Sequence, residues 1–195
     1  MVFRVVARTD RMRAGVEHEI RAVYGERFTA RLNTLPGTLV ADVGDDGRVE
    51  CAAGIRFGAC GLFSERYLDR LIDIVLEARF ERPVDRRAIV EVCHLVSRRP
   101  GRSLRFVADI VAFAERIGAE WAIFTATRAL RLLLRRAGLN MTELARALPE
   151  GVPNPSDWGS YYDHDPRVMA VHRETSLIHP KPILFGAACD QRPYA

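Results

Sequence analysis

The sequence predicts an α+β (mixed α/β) domain: a central mixed β-sheet with helices on both faces. Three observations lead there. Two β-prone runs, Leu39 to Val43 and Val49 to Phe57, flank Gly44-Asp45-Asp46-Gly47, the pattern of a hairpin with a glycine-bearing loop. Two later β-prone runs, Ala88 to Val96 and Glu120 to Ala126, each lead into a segment of helical periodicity. A hairpin joined to successive strand–helix units requires antiparallel and parallel neighbours in one sheet, with the crossover helices packed on its faces.

The elements follow in order. Phe3 to Ala7 is a short β-prone start, and apolar residues at Val16, Ile20, Val23, Tyr24, Phe28 and Leu32 have helical spacing. After the hairpin, Ser64 is the expected cap of a helix with the stripe Leu68, Leu71, Ile72, Val75 and Ala78. Arg79 to Arg86 reads as a charged linker holding Pro83. Beyond the central strand, Ser103 is expected to cap a helix with Leu104, Val107, Ala108, Val111 and Ala114 on one face, ended by Gly118. Thr127 caps the next, with Leu130, Leu133, Leu134 and Ala137 inward, Arg131, Arg135 and Arg136 outward, and Gly138 at its end. Leu144 to Leu148 is a short strand, Pro149 to Ser160 a Pro/Gly loop, and Arg167 to His172 the last strand. The order is β-α-β-β-α-β-α-β-α-β-β. Residues 1–173 form the domain, and 174–195 a tail expected to pack on it.

The 195 residues suit one domain with a real core. The net charge of +4 rests on arginine, Lys181 being the only lysine. With no RNA-binding signature, zinc-finger spacing or helix-turn-helix pattern, nucleic acid is not an expected partner. Cys51, Cys60, Cys93 and Cys189 lack C-x-x-C spacing, which fits a reduced, cytoplasmic chain. Arg4 and Arg8 interrupt any signal-peptide core, and no apolar run reaches the roughly 18 residues of a membrane span. His164, His172 and His179 lack the geometry of metal ligands, so no metal is expected.

The chemistry concentrates between Arg87 and Ser103. Glu91 and His94 are ionisable residues set into an apolar strand, and a buried carboxylate is costly unless paired. Glu91 is either the partner of a neighbouring arginine or a general base with a pKa raised by desolvation. Residues three apart on a regular strand face opposite sides, so Glu91 and His94 meet only across a β-bulge. The strand empties into Arg98-Arg99-Pro100-Gly101-Arg102-Ser103 and then a helix. Free N–H groups at a helix start, the positive end of its dipole and forked arginines make a phosphate cradle.

Arg98, Gly101 and Ser103 fit the spacing Arg/Gln-x-x-Gly-x-Gly/Ala of the Gcn5-related N-acyltransferases (the GNAT fold), with serine at the last small position. Four stretches resemble the thermostable haemolysin family: Gly61 to Asp69, Ile89 to Val92, Trp121 to Thr127, and Trp158-Gly159-Ser160-Tyr161-Tyr162-Asp163. The likeness runs from about Ile20 to Val171. That family resembles the acyl-homoserine-lactone synthases, whose equivalent strand carries Glu-x-Ser-Arg. Here the strand reads Glu91-Val92-Cys93-His94, so Glu91 matches and the next pair departs. The haemolysin family's usual Gly-Asn is absent there too, which leaves the substrate open.

The resemblance implies acyl transfer from a phosphopantetheine thioester, on an acyl carrier protein or as acyl-CoA, to the amine of a small molecule. The donor is a co-substrate, and no cofactor is expected to be bound permanently. The donor arm would lie along Leu95 and Val96, with its phosphate on Arg98, Arg99, Gly101, Arg102 and Ser103. Glu91, with His94 and a water, would take the amine proton. Tyr162 or Tyr161 would serve the leaving thiolate, and Cys93, Thr125, Trp158 and Tyr161 would border the substrate. For Cys93 a packing role, for Thr125 a β-branched strand role and for Trp158 a wall role stand as alternatives. An acyl-homoserine-lactone-type synthase and a non-enzymatic lytic or binding protein are the rival functions. An acidic carrier protein is a candidate macromolecular partner, with the choice between it and coenzyme A, like the oligomeric state, left open.

Overall fold

The computed structural model describes residues 2–99 and 101–175. The strands are β1 (Val2–Val6), β2 (Thr38–Val43), β3 (Val49–Phe57), β4 (Ile89–Ser97), β5 (Trp121–Ala126), β6 (Thr142–Arg146) and β7 (Arg167–His172). The α-helices among the described residues are α1 (Arg13–Phe28), α2 (Ile72–Phe80), α3 (Ser103–Arg116) and α4 (Arg128–Arg136). One seven-stranded sheet runs in the order β1-β2-β3-β4-β5-β7-β6. β4 and β5 are parallel and the other neighbours antiparallel. The expected mixed sheet is therefore present, with its elements in the expected order.

Strand alternation sorts the core into two layers. Leu39 and Ala41 pack with Val16 and Ile20 of α1, while Val40 between them packs with Phe106 and Ile110 of α3. Farther along, Ile123 and Ala170 meet Ile72 and Leu76 of α2, while Met169 and Val171 meet Leu134 of α4. Helices α1 and α2 cover one face, α3 and α4 the other.

Several boundaries depart from the sequence reading, each for a tertiary reason. The apolar spacing runs to Leu32, but α1 stops at Phe28 and Thr29 turns left-handed at φ 55°. The Phe28 carbonyl accepts the Ser160 N–H at 2.8 Å, a long-range bond in place of a further helical turn. Ser64 is not a helix cap. It lies in a 3-10 turn, Phe63–Tyr67, and α2 begins at Ile72, whose N–H donates to the Glu65 carboxylate at 3.1 Å. Ser103 is the first residue of α3 rather than its cap, and Arg102 holds the cap position. Thr127 does cap α4, through Leu130 N–H, and Gly118 and Gly138 follow their helices at φ 79° and 88°. Arg131 does not face outward, because its guanidinium donates to the Ala126 and Asp165 carbonyls and pairs with the Asp165 carboxylate at 2.7 Å. β6 begins two residues earlier than the reading placed it. The tail expected to pack on the domain lies, past Thr175, outside the described residues.

Candidate functional site

The site forms where the two parallel strands part. β4 and β5 pair only from Ile89 with Trp121 to Val92 with Phe124. Beyond that point β4 stays with β3 while β5 stays with β7, and the sheet opens. A β-bulge sits at the opening. Cys93 lies opposite Gly54 and Val96 opposite Ala52, so His94 and Leu95 share the place opposite Ala53. His94 takes the left-handed conformation at φ 53°, uncommon for a residue other than glycine. Gly54 makes room for this, since a Cβ there would lie 2.6 Å from Pro36 Cγ and 3.0 Å from Cys93 Sγ. The extra residue switches parity. Val96 joins the core under α1, on the face that Ile89 shares, and His94 borders the same cavity as Glu91. This is the geometry the bulge expectation required.

Three cavities meet there. A largely apolar cavity of about 300 Å³ lies in the strand opening, walled by Leu95 and Val96, by Val107 and Val111 of α3, and by Leu130 and Leu133 of α4. A cavity of about 30 Å³, room for about one water, is bordered by Glu91, Cys93, Thr125 and Tyr67. A third, of about 200 Å³, is bordered by Arg31, Arg56, Arg66 and Asn154. His94 lines all three. Trp158 stands between the small and the basic cavities, its ring 6.3 Å from that of His94 and nearly parallel to it.

Glu91 is 1% exposed and amply hydrogen-bonded. It accepts the Phe63 N–H at 2.6 Å, the Ser64 N–H at 2.8 Å and the Ser64 hydroxyl at 2.5 Å. Arg56, directly opposite in strand register, brings Nε to 3.8 Å. Burial pushes the Glu91 pKa above the usual carboxylate range, against the lowering pull of Ser64, Phe63 and Arg56. The donor turn is locked from behind: Glu65 accepts the Leu62 N–H and takes the forked Arg86 at 2.6 and 2.9 Å. The Ser64 hydroxyl also lies 3.0 Å from the Thr125 hydroxyl, which links Glu91 to the end of β5.

Burial, helped by Arg56 and Arg21, lowers the His94 pKa to about 3, so the ring is neutral near pH 7, and its buried Nδ1 has no hydrogen-bond partner. Burial first and the Glu91 charge second push the Cys93 thiol up, which makes it a poor nucleophile. Tyr161 is buried, with its hydroxyl donating to the Thr125 carbonyl at 3.4 Å. Tyr162 is not among the residues lining the three cavities; its hydroxyl lies 2.9 Å from that of Tyr67, which does line the small one.

The structure thus brings Glu91, Cys93, His94, Thr125, Trp158 and Tyr161 together, with Leu95, Val96 and Ser103 on the wall of the large cavity. The turn residues Arg98, Arg99, Gly101 and Arg102 lie beyond β4 at the start of α3. Arg98 is held by Glu19 and Glu26 of α1, and Arg99 pairs with Glu50 at 2.9 Å. A phosphate meets these two side chains only in competition with those carboxylates. Ser64, Arg56, Tyr67 and Tyr24 are site residues that the sequence reading did not assign. An arginine inside the apolar strand Ala52 to Phe57 was the available cue for Arg56.

No curated protein matches the sequence. Solved structures of similar fold include the AHL synthase LasI, at 11% identity and TM-score 0.62 over 98% of each chain. FeeM, an N-acyl amino acid synthase from uncultured soil microbes, is 12% identical, with TM-score 0.62 over 91% of this chain and 98% of its own. The CoA-dependent acyl-homoserine lactone synthase BjaI, with SAM and isopentyl-CoA, is 13% identical, with TM-score 0.59 over 87% and 82%. The expected GNAT-like architecture is thereby established at the level of fold. A family model described as thermostable hemolysin matches residues 6–177, and the chain belongs to that family.

Proposed function

We propose that the protein is an N-acyltransferase that moves an acyl group from a phosphopantetheine thioester to the amine of a small molecule. The observation that carries this reading is the buried Glu91 beside a bulged, splayed strand pair that opens into an apolar cavity. The likeness in fold to proteins named as acyl-homoserine-lactone and N-acyl amino acid synthases supports it.

The acyl chain fills the apolar cavity, and the pantetheine arm runs along Leu95 and Val96. The donor's phosphate meets the N–H groups at the start of α3, near Gly101 and Ser103. Arg102 lies at that helix start, and Arg98 and Arg99 adjoin it. The amine enters as its ammonium form and gives one proton to Glu91, directly or through one water in the small cavity, with His94 orienting that water through its unpartnered Nδ1. The nitrogen then attacks the thioester carbon and a C–N bond forms. The C–S bond breaks as the oxyanion collapses, the attacking nitrogen passes its second proton to the departing thiolate, which leaves as a free thiol, and Glu91 returns the first proton to water. Backbone N–H groups at the bulge, near Cys93 and Leu95, stabilise the oxyanion. Tyr162 serves the leaving thiolate through Tyr67, whose hydroxyl lies 2.9 Å from its own and which lines the small cavity. Most of the rate gain is positioning, because a thioester is already activated.

The test is thiol release from a panel of acyl thioesters, on coenzyme A and on a carrier protein, with a panel of amines. Amine-dependent thiol release with formation of the matching amide is the expected result. Its absence across the whole panel refutes the reading.

A further inference from the structure

We infer that the acceptor is an α-amino acid, bound by its carboxylate at Arg56 and Arg66 in the basic cavity; its acylation rests on the acyl-transfer reading above. This cavity shares His94 with the apolar one and Trp158 with the small one beside Glu91, so it is where a second substrate would wait. Three arginines border it, Arg31, Arg56 and Arg66, against one carboxylate, Asp157, which already accepts the Asn33 side-chain N–H at 2.8 Å. Among the described residues, Arg31 and Arg66 have no carboxylate within 4 Å. The Arg56 and Arg66 guanidinium carbons both lie against the Phe63 ring, 6.0 and 5.4 Å from its centroid. Both arginines also border the basic cavity, so an anion bound there meets two positive charges. The Arg56 Nε is buried without a hydrogen-bond partner, an unmet donor of the kind a bound carboxylate satisfies.

Distance selects the α-amino acid among anionic amines. Arg56 Nε lies 3.8 Å from the Glu91 carboxylate. An amine that is to lose its proton there while its acid group stays on Arg56 must carry the two groups close together, as an α-amino acid does on one carbon. A volume of about 200 Å³ is below the roughly 300 Å³ at which pockets for drug-sized ligands begin, and suits so small a molecule.

The experiment titrates the full-length protein by calorimetry, with and without coenzyme A, with each of the twenty amino acids. The carboxamide and the decarboxylated amine of every amino acid that binds are then titrated. The expected result is that at least one amino acid binds, and that its carboxamide and its amine bind at least about tenfold more weakly, the usual worth of a charge-assisted hydrogen bond. R66Q, a change at an exposed residue checked by circular dichroism, is expected to weaken the amino acid by about tenfold while leaving the carboxamide unchanged. R56Q should show the same selective loss. The proposal is overturned if no amino acid binds, if the carboxylate-free ligands bind equally well, or if neither variant discriminates. Thiol release with the same ligands separates the two readings. Turnover as fast with carboxylate-free amines removes the amino-acid acceptor and keeps acyl transfer. Carboxylate-dependent binding without thiol release from any donor removes acyl transfer and keeps the amino-acid site.

Discussion

At Glu91 the local hydrogen bonds decide what a substitution tests. The Ser64 N–H and hydroxyl point at Oε1 and the Phe63 N–H at Oε2, so an amide keeps the acceptor on one side and turns its own NH2 towards an N–H on the other. Glu91→Gln is therefore expected to fold with a modestly lowered thermal midpoint at pH 7, the unmatched N–H costing about 1–3 kcal/mol against the relief of removing a buried charge. Its turnover is expected to fall by about two to four orders of magnitude; turnover near wild type leaves Glu91 a purely structural acceptor. The raised pKa sets the sign of the pH profile. The base works only when ionised, so the rate should fall with decreasing pH at a point above the ordinary glutamate pKa of 4.5. His94 gives a separate signal in stability. Its folded pKa is about 3 against an ordinary 6.5, so the unfolded chain binds a proton that the folded one refuses. Stability from this group is whole above pH 6.5 and drains away as pH falls towards 3. His94→Asn, which tolerates the left-handed backbone, should flatten the loss of thermal midpoint with acid. His172, lowered in the same direction by burial, leaves part of the slope in place. A midpoint that falls as steeply in the variant as in the wild type contradicts the buried, neutral imidazole. Glu91 was legible in the sequence as a charge in an apolar strand. Ser64 was not, because a serine ahead of an apolar periodic run reads as a helix cap, and its true partner lies 27 residues away.

Among the elements, the loop from Asn154 to Asp165 carries the aromatic side of the site and depends on one glycine. Gly159 has φ 51°, and a Cβ there would lie 2.0 Å from the Phe28 carbonyl oxygen. The loop crosses the end of α1 at that point, with Arg31 N–H donating to Asp157 and Ser160 N–H to Phe28. Trp158, Tyr161 and Tyr162 take their positions from this crossing, which gives the Trp158-Gly159-Ser160-Tyr161-Tyr162 stretch a physical reason. Gly159→Ala should cost about 3 kcal/mol or more from backbone strain and displaced chain. For a chain of this size that lowers the thermal midpoint by at least about 6 °C. A midpoint within 2 °C of wild type, about the scale of 1 kcal/mol or less, contradicts the crossing. Element order was readable because hairpin, strand and helix periodicities are local. The face of α3 was read differently from what is found. Leu104, Val107, Ala108, Val111 and Ala114 gave the stripe, yet the residues buried against the sheet are centred on Phe106, Ile110 and Phe113. Val111 and Ala114 line the apolar cavity, while Val107 and Ile110 both line it and belong to the buried core. A helix with a core face and a cavity face shows two apolar stripes, and periodicity cannot say which of them awaits a ligand. The bulge left no local mark either, since a histidine in the left-handed region carries no sequence signal.

Over the whole molecule, long-range pairing redistributes the positive charge. Around the turn and along α4 the sequence supplies Arg98, Arg99, Arg102, Arg105, Arg131, Arg135 and Arg136, a candidate basic rim for an acidic carrier protein. Three of these are committed inside the fold: Arg98 to Glu19 and Glu26, Arg99 to Glu50, and Arg131 to Asp165. These partners lie 72 and 79 residues from Arg98 along the chain, a separation that no local pattern reports. Arg105, Arg135 and Arg136 remain exposed near the start of α3 and along α4, and the net charge of +4 keeps the long-range field positive. Such a field acts mainly on the rate of encounter and is screened over about 10 Å at 0.1 M salt. With fewer uncommitted arginines, the steering of a carrier-bound donor should be moderate. Between about 50 mM and 500 mM salt its kcat/KM is expected to fall about three- to tenfold. The same acyl group on coenzyme A presents a smaller charged partner and should change less than about twofold. R135E with R136E should flatten the carrier response and leave the coenzyme A response as it was. Rates measured with both donors across the salt series decide the matter. A coenzyme A thioester that works at least as well, together with a flat carrier response in the wild type, rules out carrier docking on this face.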